Sequence, residues 1–179
     1  EGQLFGILTM PLVDAGPLKP VIVIPNTANN HNAGPSRMWV PLSRRLARQG
    51  FPSLRFDLRG LGDSVPPVQA GGKQSYPATA LAEVRMAIDF AVARSSRKGA
   101  VCIGLCSGAY HSILAAMVGM PVVGVVGVSL PGLWKGAFTI VDGRALIEED
   151  APPTAYTPRL FRRILSDREQ RARLIANVL

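Results

Sequence analysis

Hydrophobic and polar positions recur along this chain in two rhythms, one of strands and one of helices, and the switches between them mark the elements. Residues 3–10 predict a strand that runs into a turn punctuated by Pro11, Gly16 and Pro17. Val21-Ile22-Val23-Ile24 is an unbroken β-branched run of the kind buried on both faces of a sheet. A polar loop over 26–36 follows. From there Met38, Trp39, Leu42 and Leu46 recur at helical spacing as far as Gly50, a residue suited to ending a helix. Residues 51–56 predict the next strand, with Pro52 tolerated near its start, and a second polar loop covers 57–67. Leu81, Val84, Ile88 and Val92 share one side of a helix predicted over 76–94, which residues 95–99 close. Val101-Cys102-Ile103 is a short buried strand, residues 104–108 turn sharply into an apolar helix carrying Ile113, Leu114 and Met117, and 122–130 predict one more strand.

Strands that alternate with helices in this way predict an α/β fold, a mostly parallel sheet with helices on both faces. The pattern supports a core over residues 1–130. From Pro131 onward it weakens: Pro152, Pro153 and Pro158 interrupt the chain, and a basic amphipathic helix is expected from about Pro158 to the end, so 131–179 reads as a helical segment.

Composition narrows the picture. With 179 residues, 47% of them hydrophobic and 18% charged, the chain fits a compact domain and excludes disorder, collagen and coiled coil. The 20 Lys and Arg against 12 Asp and Glu leave a net charge of +8. Much of that charge sits on one helix (Arg44, Arg45, Arg48) and in the tail from Arg159 to Arg173, where Asp167 and Glu169 interrupt it, which describes solvated faces. Nucleic acid is therefore not expected as a partner. No apolar run reaches the ~18 residues of a membrane span. The two cysteines, Cys102 and Cys106, form no disulfide framework and no zinc spacing, which points to a reducing, cytoplasmic setting without a metal or cofactor.

The run that carries chemistry is Gly104-Leu105-Cys106-Ser107-Gly108, a Gly-x-Cys-x-Gly between a strand and a helix. It has the form of a nucleophile elbow with cysteine in the serine position. In such a turn the nucleophile sits on a strained backbone, and glycines two residues away on either side remove Cβ atoms that would collide. The side chain then projects at the positive end of the next helix, among N–H groups that favour an anion, and the thiolate is the reactive form of cysteine. Cys102, in mid-strand among apolar neighbours, reads as core.

At these residues the chain resembles the α/β-hydrolase superfamily, over nearly its whole length. Besides the elbow, the run Phe51-Pro52-Ser53-Leu54-Arg55-Phe56-Asp57-Leu58-Arg59-Gly60-Leu61-Gly62-Asp63-Ser64 is similar to the strand and loop that precede the elbow in that superfamily. Residues 26–37, with His31, Gly34-Pro35 and Arg37, joined to Cys106-Ser107-Gly108, most resemble hydrolases associated with bacterial exopolysaccharide and exosortase loci. The resemblance implies that Cys106 is the nucleophile and that the Ser107 N–H forms half of an oxyanion hole. It implies that the other half comes from the loop near Asn26, Thr27 or Ala28, where many relatives carry His-Gly. His31 would border the site. His111 should point away from the elbow or into the core. Asp57 and Asp63 organise their loop and Ser64 caps it. Residues 131–179 would correspond to the lid or cap.

The superfamily takes its acid and its histidine from later loops, in the order nucleophile, acid, histidine. Here Asp142, Glu148, Glu149, Asp150, Asp167 and Glu169 follow the last predicted core strand, yet no histidine lies beyond His111. With Glu1 as the opening residue, this suggests a piece of a longer chain that lacks its C-terminal strands, or a chain from which regions have been dropped. A sheet ending there would need cover from a further domain or a second copy. Two functions follow as expectations. One is hydrolysis of an ester or thioester of a small molecule or a sugar or lipid intermediate through an acyl-cysteine, with acyl transfer as a variant. The other is an inactive relative that serves as a binding or assembly module.

Overall fold

The computed structural model describes residues 4–13, 16, 18–65, 79–129, 138–141 and 144–147. The chain divides into two units, Glu1–Leu130 and Pro131–Leu179. In the first, the strands are β1 (Gly6–Thr9), β2 (Val21–Pro25), β3 (Ser53–Phe56), β4 (Ala100–Leu105) and β5 (Val122–Val128). Its helices are α1 (Trp39–Arg48), α2 (Ala80–Ser95) and α3 (Ser107–Met117), and a 3₁₀ turn spans Pro35–Arg37. The strands pair in the order β1-β3-β2-β4-β5. β1 runs antiparallel to β3, and every other pairing is parallel. Each element follows the rhythm of its sequence to within a few residues.

Side chains alternate across a strand, and this period of two sorts the core into two layers. Val21 and Val23 of β2, Leu54 and Phe56 of β3, and Ala100 and Cys102 of β4 lie in one cluster with Val84, Ile88 and Ala91 of α2 and Ala115 of α3. Ile22 and Ile24 lie in the other with Trp39, and Leu42 and Leu46 of α1 together with Val101 and Ile103 pack against it. All four residues from Val21 to Ile24 are at most 4% exposed, and each contributes roughly 1.5–3 kcal/mol by leaving water. That double-sided burial is why β2 carries no polar residue, and it holds the C-terminal end of β2 at the centre of the sheet beside β4.

In the second unit the described residues form two strands, β6 (Phe138–Val141) and β7 (Arg144–Ile147), paired antiparallel. The sequence pattern predicts a helical segment across 131–179. The β-branched run Thr139-Ile140-Val141 followed by Asp142-Gly143 is a local sequence signal for such a hairpin, and the rest of 131–179 lies outside the described residues. The basic helix expected from Pro158 lies outside the described residues, as does the start of the helix predicted from Tyr76.

Candidate active site

The turn between β4 and α3 is set by close approach. A Cβ on Gly104 would lie 2.2 Å from the Gly108 carbonyl carbon and 2.3 Å from the Ala109 nitrogen, and one on Gly108 would lie 2.9 Å from the Asn26 oxygen. Only glycine permits the strand, the helix and the end of β2 to meet at these distances. Cys106 stands between them at φ 54° and ψ −118°, in the left-handed half of backbone space that ordinary residues avoid. Its N–H donates to the Val128 carbonyl at 3.0 Å, and its own carbonyl accepts the Tyr110 N–H at 3.1 Å. The strained residue is thus tied to β5 on one side and to α3 on the other. Its side chain is half-buried, and the N–H groups of Ser107, Gly108 and Ala109 belong to the first turn of α3, where a helix supplies no acceptor of its own. The site is a half-buried sulfur at a strained corner, beside the positive end of a helix.

Cys102, four residues earlier, is fully buried, and burial pushes its thiol up to about 12. Its neighbourhood is apolar core, so the two cysteines have opposite environments although they share a strand-turn segment.

The loop that leaves β2 faces the start of α3. Asn26 and Thr27 are buried, at 2% and 5% exposure. The Asn26 side chain works in two directions: Oδ1 accepts the Leu58 N–H at 3.1 Å, and Nδ2 donates to the Ala28 carbonyl at 2.8 Å. The Ala28 N–H donates to Ser107 Oγ at 2.7 Å, a bond between residues 79 apart in the chain. Ala28 itself sits at φ 44°, which costs an alanine about 1–2 kcal/mol. The Thr27 carbonyl accepts both the N–H and the side-chain amide of Asn30, at 2.8 and 3.2 Å. His31 is exposed, and its Nδ1 accepts the Ala33 N–H at 3.3 Å. The loop ends at Gly34, φ 76°, where a Cβ would fall 2.3 Å from the Trp39 ring.

Behind this loop a polar network fastens it to the loop after β3. Arg55 Nη1 donates to Asn32 Oδ1 at 2.8 Å, and Asn32 Nδ2 donates to Asp57 Oδ2 at 2.8 Å, so an amide relays between a guanidinium and a carboxylate that are both buried. The Asp63 N–H also reaches Asp57 Oδ2, at 3.2 Å. Burial holds the Asp57 carboxyl above the usual carboxylate range despite these hydrogen bonds. Burial, and then the charge of Arg44, lowers the Arg55 guanidinium. Ser64 Oγ donates to the Asp57 carbonyl and accepts the Phe5 N–H, while Glu83 accepts Arg59 through both Nε and the backbone N–H. These are framework roles. Asp63, which sequence places in the same loop, is exposed and contributes its backbone.

The structure therefore brings Cys106, Ser107, Asn26, Thr27 and Ala28 to one end of the sheet, and leaves His31 on the solvent side of their loop. His111 is buried in α3, at 3% exposure, with its ring edge-on to Tyr110 at 5.5 Å. Three contacts have no counterpart in the sequence expectations: the bond of Ser107 Oγ to Ala28, and the links that Asn32 and Arg55 make behind the loop. Of these residues only Arg55 carries a sequence signal, as a charge inside a predicted strand. Among the described residues no group of three or more His, Cys, Asp or Glu could hold a metal ion, and no helix is long and apolar enough to cross a membrane.

A family model described as the alpha/beta hydrolase family matches residues 27–177. No curated protein matches the chain. Among solved structures, an alpha/beta hydrolase from Sphaerobacter thermophilus is 25% identical, with a TM-score of 0.48 over 72% of this chain and 41% of that one. An alpha-beta serine hydrolase homologue from Coxiella burnetii is 23% identical, with a TM-score of 0.51 over 73% of this chain and 59% of that one. An alpha/beta hydrolase fold protein from Burkholderia ambifaria is 13% identical, with a TM-score of 0.52 over 75% of this chain and 43% of that one. The last two share its fold. The chain spans between 41% and 59% of the length of these three structures.

Proposed function

The chain belongs to the alpha/beta hydrolase family, and from that premise we propose that it cleaves an ester or thioester through an acyl-enzyme on Cys106. One observation carries the reading: a half-buried cysteine at φ 54° on a turn built by Gly104 and Gly108, at the N-terminus of an 11-residue helix. The thiolate attacks the carbonyl carbon, and the C=O electron pair moves onto oxygen. That oxyanion is held by the N–H of Ser107 and by an N–H of the loop 26–28. Collapse expels the alcohol or thiol, which takes up a proton, and leaves the acyl group on sulfur. Water then releases the acid and restores the thiol; a second alcohol or thiol in place of water makes the same site an acyltransferase.

A thiolate is nucleophilic without an adjacent base, so acylation falls within the reach of these residues. Deacylation needs a general base. His111 is buried within α3 and His31 is exposed with Nδ1 engaged, so hydrolysis of the acyl-cysteine by these residues is slow and the adduct accumulates. The resemblance of residues 26–37 and of the elbow to exopolysaccharide-associated hydrolases points the substrate toward an acylated sugar or lipid intermediate of envelope polysaccharide synthesis, in a cytoplasmic setting. In this reading residues 131–179 are the counterpart of the family's lid or cap segment.

A second reading, a binding or assembly module without turnover, is favoured by one observation: the Ala28 N–H, one of the loop donors, is already given to Ser107 Oγ. Intact mass before and after brief exposure to p-nitrophenyl acetate, beside a Cys106→Ala variant, separates the two. A single acetyl adduct that the variant lacks supports the enzyme; wild-type protein that gains none leaves the binding module.

A further inference from the structure

Ala28 holds a conformation it does not prefer, and two side chains keep it there. At φ 44° an alanine relaxes toward the right-handed or extended regions unless its peptide groups are tied. Here both are: Ser107 Oγ takes its N–H at 2.7 Å, and Asn26 Nδ2 reaches its carbonyl at 2.8 Å. The peptide before it is held again through the Thr27 carbonyl, which accepts the Asn30 N–H. Ser107 is 2% exposed, so its hydroxyl is sheltered from water that would compete for the same donor.

The consequence concerns which donors can serve an oxyanion. The Ala28 N–H is engaged, so of Asn26, Thr27 and Ala28 it is the one withdrawn from the role. Thr27 lies between the two residues that are anchored, and the orientation of its N–H follows from theirs. We propose that Ser107 is a positioning residue: its hydroxyl pins Ala28 and thereby aims the Thr27 N–H, while its own backbone N–H supplies the second donor. One residue would then both contribute to the oxyanion hole and set its other half, across 79 residues of chain. This inference rests on the acyl-cysteine reading above and adds to it a role for a side chain that the Gly-x-Cys-x-Gly pattern leaves free.

The test compares Ser107→Ala and Ser107→Thr with wild type in three measurements: the rate of Cys106 acylation by p-nitrophenyl acetate, the rate of Cys106 alkylation by iodoacetamide, and amide hydrogen exchange at Ala28. Alkylation forms no oxyanion and reports only whether the thiol and its turn are intact. Removing an oxyanion-hole donor outright costs about 100- to 1000-fold, so loosening one predicts acylation slowed about 10- to 100-fold in Ser107→Ala. Alkylation should stay within about twofold and exchange at Ala28 should accelerate; Ser107→Thr, which keeps the hydroxyl, should restore both acylation and protection. Acylation unchanged in Ser107→Ala overturns the assignment alone, as does a parallel fall in acylation and alkylation. Wild-type protein that gains no Cys106-dependent adduct overturns the acyl-cysteine reading and this assignment with it.

Discussion

Replacing Gly104 by alanine places a methyl carbon 2.2 Å from the Gly108 carbonyl carbon, 2.3 Å from the Ala109 nitrogen and 2.3 Å from the Gly108 oxygen. Carbon atoms in contact sit about 3.5–4.0 Å apart, so the first turn of α3 must retreat by more than about 1 Å. It cannot do so freely. Cys106 is tied to Val128 and Tyr110, and Gly108 packs on the Asn26 carbonyl. Overpacking that side chains can absorb costs about 1–3 kcal/mol, and here the obstacles are backbone, so we expect about 3 kcal/mol or more. With a urea m-value near 2 kcal/mol/M, the midpoint of unfolding should fall by about 1.5 M. The control is Gly127→Ala on β5, whose Cβ would meet Ala109 Cβ at 3.5 Å and Ile113 Cδ1 at 3.9 Å, ordinary contacts. That variant should shift stability by no more than about 0.5 kcal/mol. Urea titrations in which Gly104→Ala loses no more than Gly127→Ala would refute the argument that close approach of backbone builds this turn.

Two further outcomes follow from the environments of single groups. With its thiol at about 12, Cys102 is about one part in ten thousand thiolate at pH 8, and it is fully buried as well; iodoacetamide followed by peptide mass analysis should therefore label Cys106 at least about 100-fold faster, and comparable rates would contradict the site as described. Asp57 has its folded pKa raised by burial, so the fold binds its proton more tightly than the unfolded chain does. Its contribution therefore declines as pH rises from the unfolded value near 3.8 through the raised folded value, and Asp57→Asn lacks that slope. Wild type should gain stability relative to Asp57→Asn as pH is lowered from about 7 to 4, and parallel pH profiles in urea titrations would contradict it.

Features that rest on neighbours in sequence were legible before any coordinates. The run from Val21 to Ile24 announced a strand buried on both faces, and the spacing of Gly104 and Gly108 around Cys106 announced the turn, because in both cases the cause lies within a few residues. The hairpin of β6 and β7 has a local signal in Asp142-Gly143 that the reading of 131–179 as a helical segment passes over. The clamp on Ala28 had no such signal. Its two bonds join residues two and 79 apart, and a serine one place beyond the nucleophile reads from sequence as a source of a backbone N–H, or as a nucleophile only if the elbow shifted by one residue, not as a clamp on a distant loop. Arg55 and Asn32 belong to the same class: a charge in a strand and an amide in a loop are each unremarkable until the fold puts them 2.8 Å apart.

The packing of Gly34 against Trp39 gives this loop its own optical probe. The indole is 2% exposed, its backbone N–H donates to Ala33, and it rests on Ile22 and Ile24 at the opposite end of the same loop that carries Thr27 and Ala28. Any rearrangement that lifts residues 31–34 changes the polarity around that ring. With the second tryptophan replaced (Trp134→Phe), the emission colour of Trp39 and its quenching by acrylamide therefore register whether the loop is seated, in real time and without a label, as an acyl donor arrives at Cys106.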